Sequence, residues 1–354
     1  MSTPVTFRQL IATLEQTEQG FTILPLQHGS RLVMTQRGGR LFGPFADGDD
    51  ALPLCWINPA LSTPTAFRTL IEAGAWNVGG ERIWIAPEIQ FHIRDRDDSG
   101  GTFALPPATD PGGYEMEQDA QQVWLHQEIA LRAYNLASGL KRLRISRIVE
   151  AAADPLRNLS AIPAGLHYAG YAHSVTITDL NDAPIVSEAW NLVQLEAGGT
   201  LILPTVSDQV EASAYFGTLP AEAITARDRC VRVAITGKQQ FKVGYQSACL
   251  TGRVGYYHEP ASDRAYLLVR SFFNNPSALY SEEPPLMRGR NGHSVHVYND
   301  DGALGGFGEM ECNGQAIGGA TRRHSSTDLF VMWTYQGSPS AVKDAARLIL
   351  GATL

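Results

Sequence analysis

The sequence predicts an all-β protein with a short helix at each end, and three observations carry that expectation. Apolar residues recur with a period of two through at least thirteen short segments rich in β-branched and aromatic side chains. The 34 glycines and 20 prolines make up about 15% of the chain against a usual ~12%, which supplies many turns. The 3.6-residue stripe of an amphipathic helix is convincing only near the two termini.

Taken in order, Phe7, Leu10, Ile11 and Leu14 stand at i, i+3, i+4 and i+7 behind Thr3-Pro4 or Thr6 as caps, which predicts an N-terminal helix. Candidate strands follow at 21–26, 31–35, 81–93, 128–134, 143–149, 174–180 and 190–195. Six more lie at 200–205, 231–235, 241–245, 265–272, 293–298 and 329–335, each bounded by Gly, Pro, Asn or Asp. Val342, Ala345, Ala346, Leu348 and Ile349 form the closing helical stripe, with Ser338-Pro339 at its start and Gly351 at its stop. Strands this numerous and closely spaced mean a sandwich or a barrel, with the helices as lids over the ends of a sheet. The 354 residues allow two domains, but no linker, low-complexity tract or repeat divides them, so one domain over residues 1–354 is expected.

Composition narrows the partners. Apolar residues are 44% and charged residues 18% of the chain, enough for a large core and without the signature of disorder. Acidic residues exceed basic ones by 36 to 28, and the one basic run, Lys141-Arg142-Leu143-Arg144, alternates with Leu143 and Ile145 as a solvated strand face would. Nucleic acid is therefore not an expected partner. No stretch approaches the roughly 18 apolar residues of a spanning helix, and the start of the chain lacks a secretory pattern, so no membrane partner and a cytoplasmic location are expected. Cys55, Cys230, Cys249 and Cys312 are far apart, without zinc-ligand or disulfide spacing, and read as small core residues. Neither a GxSxG elbow, a Walker loop nor an HExxH helix occurs, and no cofactor or metal is implied. Asn158-Leu159-Ser160 is a glycosylation sequon only in form.

Three places offer chemistry. In the stretch 81–93, Ile83, Ile85, Ile89, Phe91 and Ile93 share one parity and read as buried, while Arg82, Trp84, Glu88, Gln90 and His92 share the other. A cation, an indole, a carboxylate, an amide and an imidazole are the groups that stack on and hydrogen-bond a sugar, so a ligand face and an ordinary outer face are both open readings. The turn Asn77-Val78-Gly79-Gly80 brings Asn77 toward the same rim. Late in the chain His293 and His296, three apart, are expected on opposite faces of a strand, with His296 and Tyr298 on one. Glu309 and Glu311 share a parity against Met310 and Cys312; beside His296 they offer a general base and acid, the alternative being two solvent-exposed glutamates. Trp190, with parity mates Glu188, Leu192 and Gln194, is a stacking platform or a core residue, and Lys242 lies opposite Phe241, Val243 and Tyr245, toward the same cleft. The remaining histidines, His28, His126, His167, His173, His258 and His324, have no distinguishing spacing.

Several segments in order, CWINPAL (55–61), NVGGERIWIAPE (77–88), EAWNLVQL (188–195), AYFGTLPAEAI (214–224), HVYNDDG (296–302), FGEMECNG (307–314) and AVKDAARLILG (341–351), resemble the galactose mutarotase-like (aldose 1-epimerase) superfamily, and most closely an uncharacterised bacterial family within it. The resemblance implies a supersandwich of large twisted antiparallel sheets with a sugar cleft on a concave face, and a mono- or oligosaccharide ligand. It also implies that Glu311, with Glu309 one pleat away, takes the anomeric hydroxyl proton. The mid-chain histidine that gives a proton to the ring oxygen in that superfamily is not matched: Trp190 stands in the similar stretch, which leaves His296 or His92 as donor, or a sugar-binding module without catalysis. A third reading is lyase or isomerase chemistry on an acidic sugar held by Arg82.

Overall fold

The computed structural model describes residues 4–159, 162–220 and 222–354. Ten strands form in the first part of the chain: β1 (Phe21–Pro25), β2 (Arg31–Thr35), β3 (Leu41–Phe45), β4 (Glu81–Ala86), β5 (Glu115–Gln118), β6 (Gln122–Ala133), β7 (Gly139–Ala151), β8 (His167–Asp179), β9 (Glu188–Glu196) and β10 (Thr200–Pro204). Nine follow: β11 (Ser213–Gly217), β12 (Ile224–Arg227), β13 (Cys230–Ala234), β14 (Phe241–Gln246), β15 (Arg253–Ala261), β16 (Arg264–Phe272), β17 (His293–Asn299), β18 (Phe307–Asn313) and β19 (Ser325–Gly337). They make two sheets, of order β1-β2-β3-β4-β9-β18-β17-β14-β11 and β12-β13-β10-β15-β16-β19-β8-β7-β6-β5. Every ladder between neighbours is antiparallel, as expected of an all-β sandwich.

The alternation seen in the sequence decides which face of each strand is inside. Ile83 and Ile85 of β4, Val193 and Leu195 of β9, Val295 and Val297 of β17, and Met310 and Cys312 of β18 join one core with Ile145, Val175, Leu268 and Met332 of the second sheet. Trp84, Trp190 and Leu192 fall on the other parity, into a separate cluster on the face of the nine-stranded sheet turned away from that core. Both β6 and β7 alternate cleanly, with Arg142 and Arg144 outward as expected. Lys141, read from sequence as part of the solvated run, has the inward parity instead and is buried in an ion pair with Asp179.

Both terminal helices form. The first, α1 (Phe7–Gln16), is capped by Thr6, whose hydroxyl accepts from the Gln9 N–H while the Gln9 side chain accepts from the Thr6 N–H; Thr3, the other cap considered, lies outside the described residues, as does Ser160 of the sequon. A further helix, α2 (Pro64–Glu72), was not anticipated, although Thr63-Pro64 caps it and Phe67, Leu70 and Ile71 give it an apolar face. Two single-turn helices follow, α3 (Glu88–Phe91) and α4 (Ser99–Thr102). At the other end α5 (Pro339–Leu350) is capped by Ser338 and stopped by Gly351 in the left-handed region, and lays Val342, Ala345, Ala346 and Ile349 on Ile202, Leu267 and Val269 of the ten-stranded sheet.

The stretch 81–93 needs correction. It is a strand only to Ala86; Pro87, which has no N–H for the ladder, is followed by α3, so Glu88, Gln90 and His92 do not continue the Arg82–Trp84 face. Ile89 and Phe91 are nonetheless buried, as are Glu88 and Gln90, because the whole turn is enclosed.

Candidate functional site

Three rows of residues cross the outer face of the nine-stranded sheet in register. In the first, Arg82 of β4 lies opposite Leu192 of β9, Leu192 opposite Glu311 of β18, Glu311 opposite His296 of β17, and His296 opposite Gly244 of β14. The second runs Trp84, Trp190, Asn313. Across the third stand Gln194, Glu309, Tyr298 and Lys242. Residues directly opposite on neighbouring strands have Cβ atoms about 4.5–5.5 Å apart, so the register alone brings Glu309, Glu311, His296, Tyr298, Lys242, Trp190, Trp84 and Arg82 onto one surface.

The remaining candidates reach it from connections. Asn77 accepts from Gln194 Nε2 at 2.8 Å and donates to the Leu304 carbonyl at 2.7 Å. Glu88, at the start of α3, takes Lys242 Nζ at 2.9 Å. His92, just past α3, packs against both indoles, its ring centre 5.5 Å from Trp84 and 5.8 Å from Trp190. The structure thus brings the candidate side chains together with the exception of Gln90, whose amide bonds the backbone of Leu136 and Ala137 instead, and Glu88 and His92 arrive by a different route from the one the alternation implied.

Electrostatics centre on Lys242 and Glu311. Lys242 Nζ lies 3.2 Å from Glu311 Oε2 and 4.3 Å from the centre of the Trp190 ring, and the Trp190 indole donates to Glu311 Oε2 at 3.0 Å. Glu311 is 1% exposed; burial pushes its carboxyl up to about 7, Lys242 opposing and Glu309 and Glu88 adding to the rise. Burial opposes the Lys242 charge, but Glu311, Glu88 and Glu282 outweigh it and raise the Lys242 pKa. Arg82 stacks on Trp84 with Cζ 4.1 Å from the ring centre, and its Nη2 is 2.8 Å from Glu309 Oε1 without the alignment of a hydrogen bond. Trp84 donates to Asp110 Oδ2 at 3.0 Å, and Asp110 is paired with Arg40. The solvent-exposed alternative for Glu309 and Glu311 does not hold, since both are buried.

Polar atoms without a hydrogen-bond partner gather here. They include both ring nitrogens of His92, Nε and Nη1 of Arg82, Nδ1 of His296, Oε1 of Glu309 and Oε1 of Glu282. Such atoms also occur away from this face, on Arg147, Tyr266 and Arg270 for example, but here they leave hydrogen-bonding capacity on both cations and carboxylates of one cluster. Burial, helped by Lys242 and Arg82, lowers the His92 pKa to about 3 and keeps its imidazole neutral.

Sequence reasoning missed three contributors. The connection 273–292 between β16 and β17 lies against the face: the Ser281 N–H donates to Glu188, and Glu282 accepts from the Glu88 N–H. Arg96 pairs with Glu283 at 2.8 Å and donates to the Pro285 carbonyl at 2.8 Å, pinning the same stretch. Burial raises Glu188 to about 7 and Glu282 well above the usual carboxylate range, the nearby Glu88 adding to the latter. The third is Tyr215 of β11, whose hydroxyl lies 3.1 Å from His296 Nε2 and 3.0 Å from His293 Nδ1. His293 was expected on the face opposite His296, but a bulge lets Val295 pair with Tyr245 and His293 with Gln246, so Ser294 is skipped and both rings turn to one side, 6.1 Å apart. A bulge leaves no mark in the hydrophobic pattern, and Ser281-Glu282-Glu283 has no spacing that sets it apart.

Behind the face, Glu81 of β4 reaches into the inter-sheet core. It accepts from His173 Nδ1 and Asn191 Nδ2, each at 2.6 Å, and from Tyr171 and Arg270. Arg147 Nε donates to His173 Nε2 at 2.9 Å, which fixes that ring as a neutral Nδ1–H tautomer. Burial works against the Glu81 charge, but Arg270, His173 and Tyr171 outweigh it and hold the carboxyl well below its ordinary range. This network ties β4 and β9, which carry Arg82 and Trp190, to β8 and β16 of the other sheet.

Fold and face together define an all-β, two-sheet protein with a buried cluster of carboxylates, cations and indoles on the outer face of one sheet. The chain belongs to a family of unknown function, DUF6786, whose model matches residues 5–353. No curated protein sequence matches it. Among solved structures it is similar to a GalM/aldose epimerase homologue from C. elegans, with 11% identity, 89% of this chain and 98% of that one covered, and a TM-score of 0.41. It is similar also to a candidate aldose 1-epimerase from Klebsiella pneumoniae, with 9% identity, 95% and 89% covered, and a TM-score of 0.43. Among the described residues no helix is long and apolar enough to cross a membrane, and no group of three metal-ligating side chains converges.

Proposed function

We propose that the outer face of β4, β9, β18, β17 and β14 binds a sugar and transfers protons at its anomeric centre, with Glu311 as the base. The observation that carries the reading is the Glu311 carboxyl, buried, held by the Trp190 indole and Lys242, pushed to about 7 and directly opposite His296. A carboxyl poised near neutral pH takes and returns a proton efficiently, and one that must ionise beside a fixed ammonium is stabilised in the charged form it needs as a base. Trp84 and Trp190 supply rings for the apolar face of a pyranose; Arg82, Asn77, Glu88, His92, Glu309 and Tyr298 supply hydrogen bonds to its hydroxyls. The protein works as one domain over residues 1–354, in the cytoplasm, without nucleic-acid, membrane or cofactor partners. Polarimetry of α-glucose and α-galactose tests the proposal: wild type accelerates mutarotation, Glu311→Gln does not, and equal rates would remove Glu311 from the reaction.

One observation favours a second reading, a sugar-binding module without turnover: the indole of Trp190, not a titratable donor, is what contacts Glu311. Under that reading sugar raises the melting temperature while wild type leaves the mutarotation rate at the buffer value. An acidic sugar fits less well, because Arg82 already has Glu309 beside it and Lys242 has Glu88 and Glu311.

A further inference from the structure

The proposed reaction needs a proton for the ring oxygen, and the position of the expected histidine holds Trp190. Neither His92 nor His296 carries a spare proton: burial, helped by Lys242, lowers His92 to about 3 and His296 well below its ordinary value, so both rings are neutral. We propose that Glu282, on the connection that lies against the face, is the general acid paired with the Glu311 base, an inference that rests on the functional reading above.

Geometry singles out this carboxyl. Glu282 is 1% exposed; its Oε2 accepts from the Glu88 N–H, and its Oε1 is buried without a partner. The neighbouring Glu188 has both oxygens engaged, Oε1 by the Ser281 N–H and Oε2 by Asn313 Nδ2 at 2.9 Å. Lys242 is held by Glu311 and Glu88, which make its proton the hardest on the face to give up. Around Glu282 stand Glu88 of α3, Lys242 of β14, Glu188 of β9 and Tyr215 of β11. Burial, reinforced by Glu88 and Glu188 against the opposing Lys242, keeps the Glu282 carboxyl protonated at neutral pH, whereas Glu311 is raised only to about 7. Two carboxyls pushed to different values in one site are the arrangement that acid and base catalysis requires.

The connection is tied at its neck, which keeps the acid over the site when a sugar enters. The Gly292 N–H donates to the Tyr280 carbonyl at 2.9 Å, and the Ser247 N–H donates to the Gly292 carbonyl at 2.9 Å. Tyr280 is fully buried, and Glu282 lies two residues beyond it. A sugar sliding under residues 281–283 breaks the bonds to Glu188 and Glu88 and lifts that stretch, yet the tether leaves Glu282 lying over the sugar, opposite the sheet that carries Glu311. The Glu282 proton then passes from Oε1 to the ring oxygen as the bond from C1 to that oxygen breaks, while Glu311 takes the anomeric hydroxyl proton and the C1 carbonyl forms. Glu282 ends as the carboxylate and Glu311 as the acid, so the site holds one negative carboxylate of the pair before and after. Lys242, which interacts with both, stabilises whichever is ionised. Ring closure on either face of the carbonyl runs both transfers backwards, and no proton is consumed.

Polarimetry on α-glucose and α-galactose, with KM and kcat determined separately, compares wild type with Glu282→Gln and Glu283→Gln. Glutamine has the shape of a protonated glutamate and keeps an acceptor for the Glu88 N–H, so Glu282→Gln folds as wild type does but has no acidic proton to give. Glu283→Gln loosens the same connection at Arg96 and leaves the acid in place. Glu282→Gln is expected to lose about a hundredfold in kcat, the lower end of what a general acid supplies, with KM within about twofold; Glu283→Gln keeps kcat within about threefold. Wild-type kcat in Glu282→Gln, or an equal loss in both variants, overturns the assignment and leaves the functional reading standing. A wild type without turnover on either sugar refutes that reading, and the acid falls with it.

Discussion

Replacing Glu311 by glutamine should make the protein more stable and less able to turn over. The Glu311 carboxyl titrates near 7 in the folded protein, mainly because it is buried, against about 4.5 when exposed in the unfolded chain. A raised carboxyl pKa means that the folded state holds the proton more tightly, so its contribution to stability is complete below pH 4.5 and is lost as pH rises through 7. At 1.36 kcal/mol per unit, the loss amounts to about 3 kcal/mol once the group is ionised. Glutamine has nearly the same shape, keeps an oxygen for the Trp190 N–H and never ionises, while Lys242 retains Glu88. Glu311→Gln should therefore exceed wild type by about 1 kcal/mol or less at pH 5 and by up to about 3 kcal/mol at pH 8, the gap opening between pH 4.5 and 7. Urea denaturation at pH 5, 6, 7 and 8 reads this directly. A gap independent of pH, or a variant less stable at pH 8 than wild type, would refute the reasoning, because the buried ionised carboxylate would then be a stabilising group rather than a strained one.

Other consequences follow from separate parts of the structure. Glu81→Ala removes the acceptor of the inter-sheet network and leaves Arg270 buried without its partner; a loss of about 3–5 kcal/mol in chemical denaturation is expected, against under 1 for exposed Glu128→Ala, whose pair with Arg144 lies in solvent. Gly244→Ala forces a methyl into contact with Tyr215 and His296 and should cost about 1–3 kcal/mol in the same assay, together with loss of turnover. Because residues 281–283 lie against the face, a sugar that enters must displace them: amide exchange within 275–292 should rise when sugar is added and stay unchanged elsewhere in β17 and β18.

The fold was largely legible because a two-sided strand writes its inward residues at every second position. Ile83 and Ile85, Val295 and Val297, and Met310 and Cys312 all point where the alternation puts them. The same parity placed Trp84, Trp190, Lys242, Glu309, Glu311, His296 and Tyr298 on the opposite face, before any pairing of strands was known. Pairing is what the sequence does not write: that β18 lies between β9 and β17 is decided by long-range packing, and only that order sets Glu311 beside both Trp190 and His296. Departures from regular geometry were also silent. Pro87 was visible, yet the single turn of α3 that carries Glu88 to Lys242 was not, and the bulge at Ser294 reversed the side expected for His293. Buried Lys141 shows the converse limit, since a charged residue at an inward position is acceptable when a partner such as Asp179 is buried with it.

A crystal soaked with α-galactose or α-glucose tests the central claim most directly. The sugar should lie over Trp84 and Trp190 on the outer face of the nine-stranded sheet, with residues 281–283 displaced and its anomeric oxygen within about 2.6–3.2 Å of Glu311. A sugar bound elsewhere, for example in the groove of about 480 Å³ bounded by Glu115, His126, Glu128 and Arg144, with the Glu311 face unchanged, would contradict it.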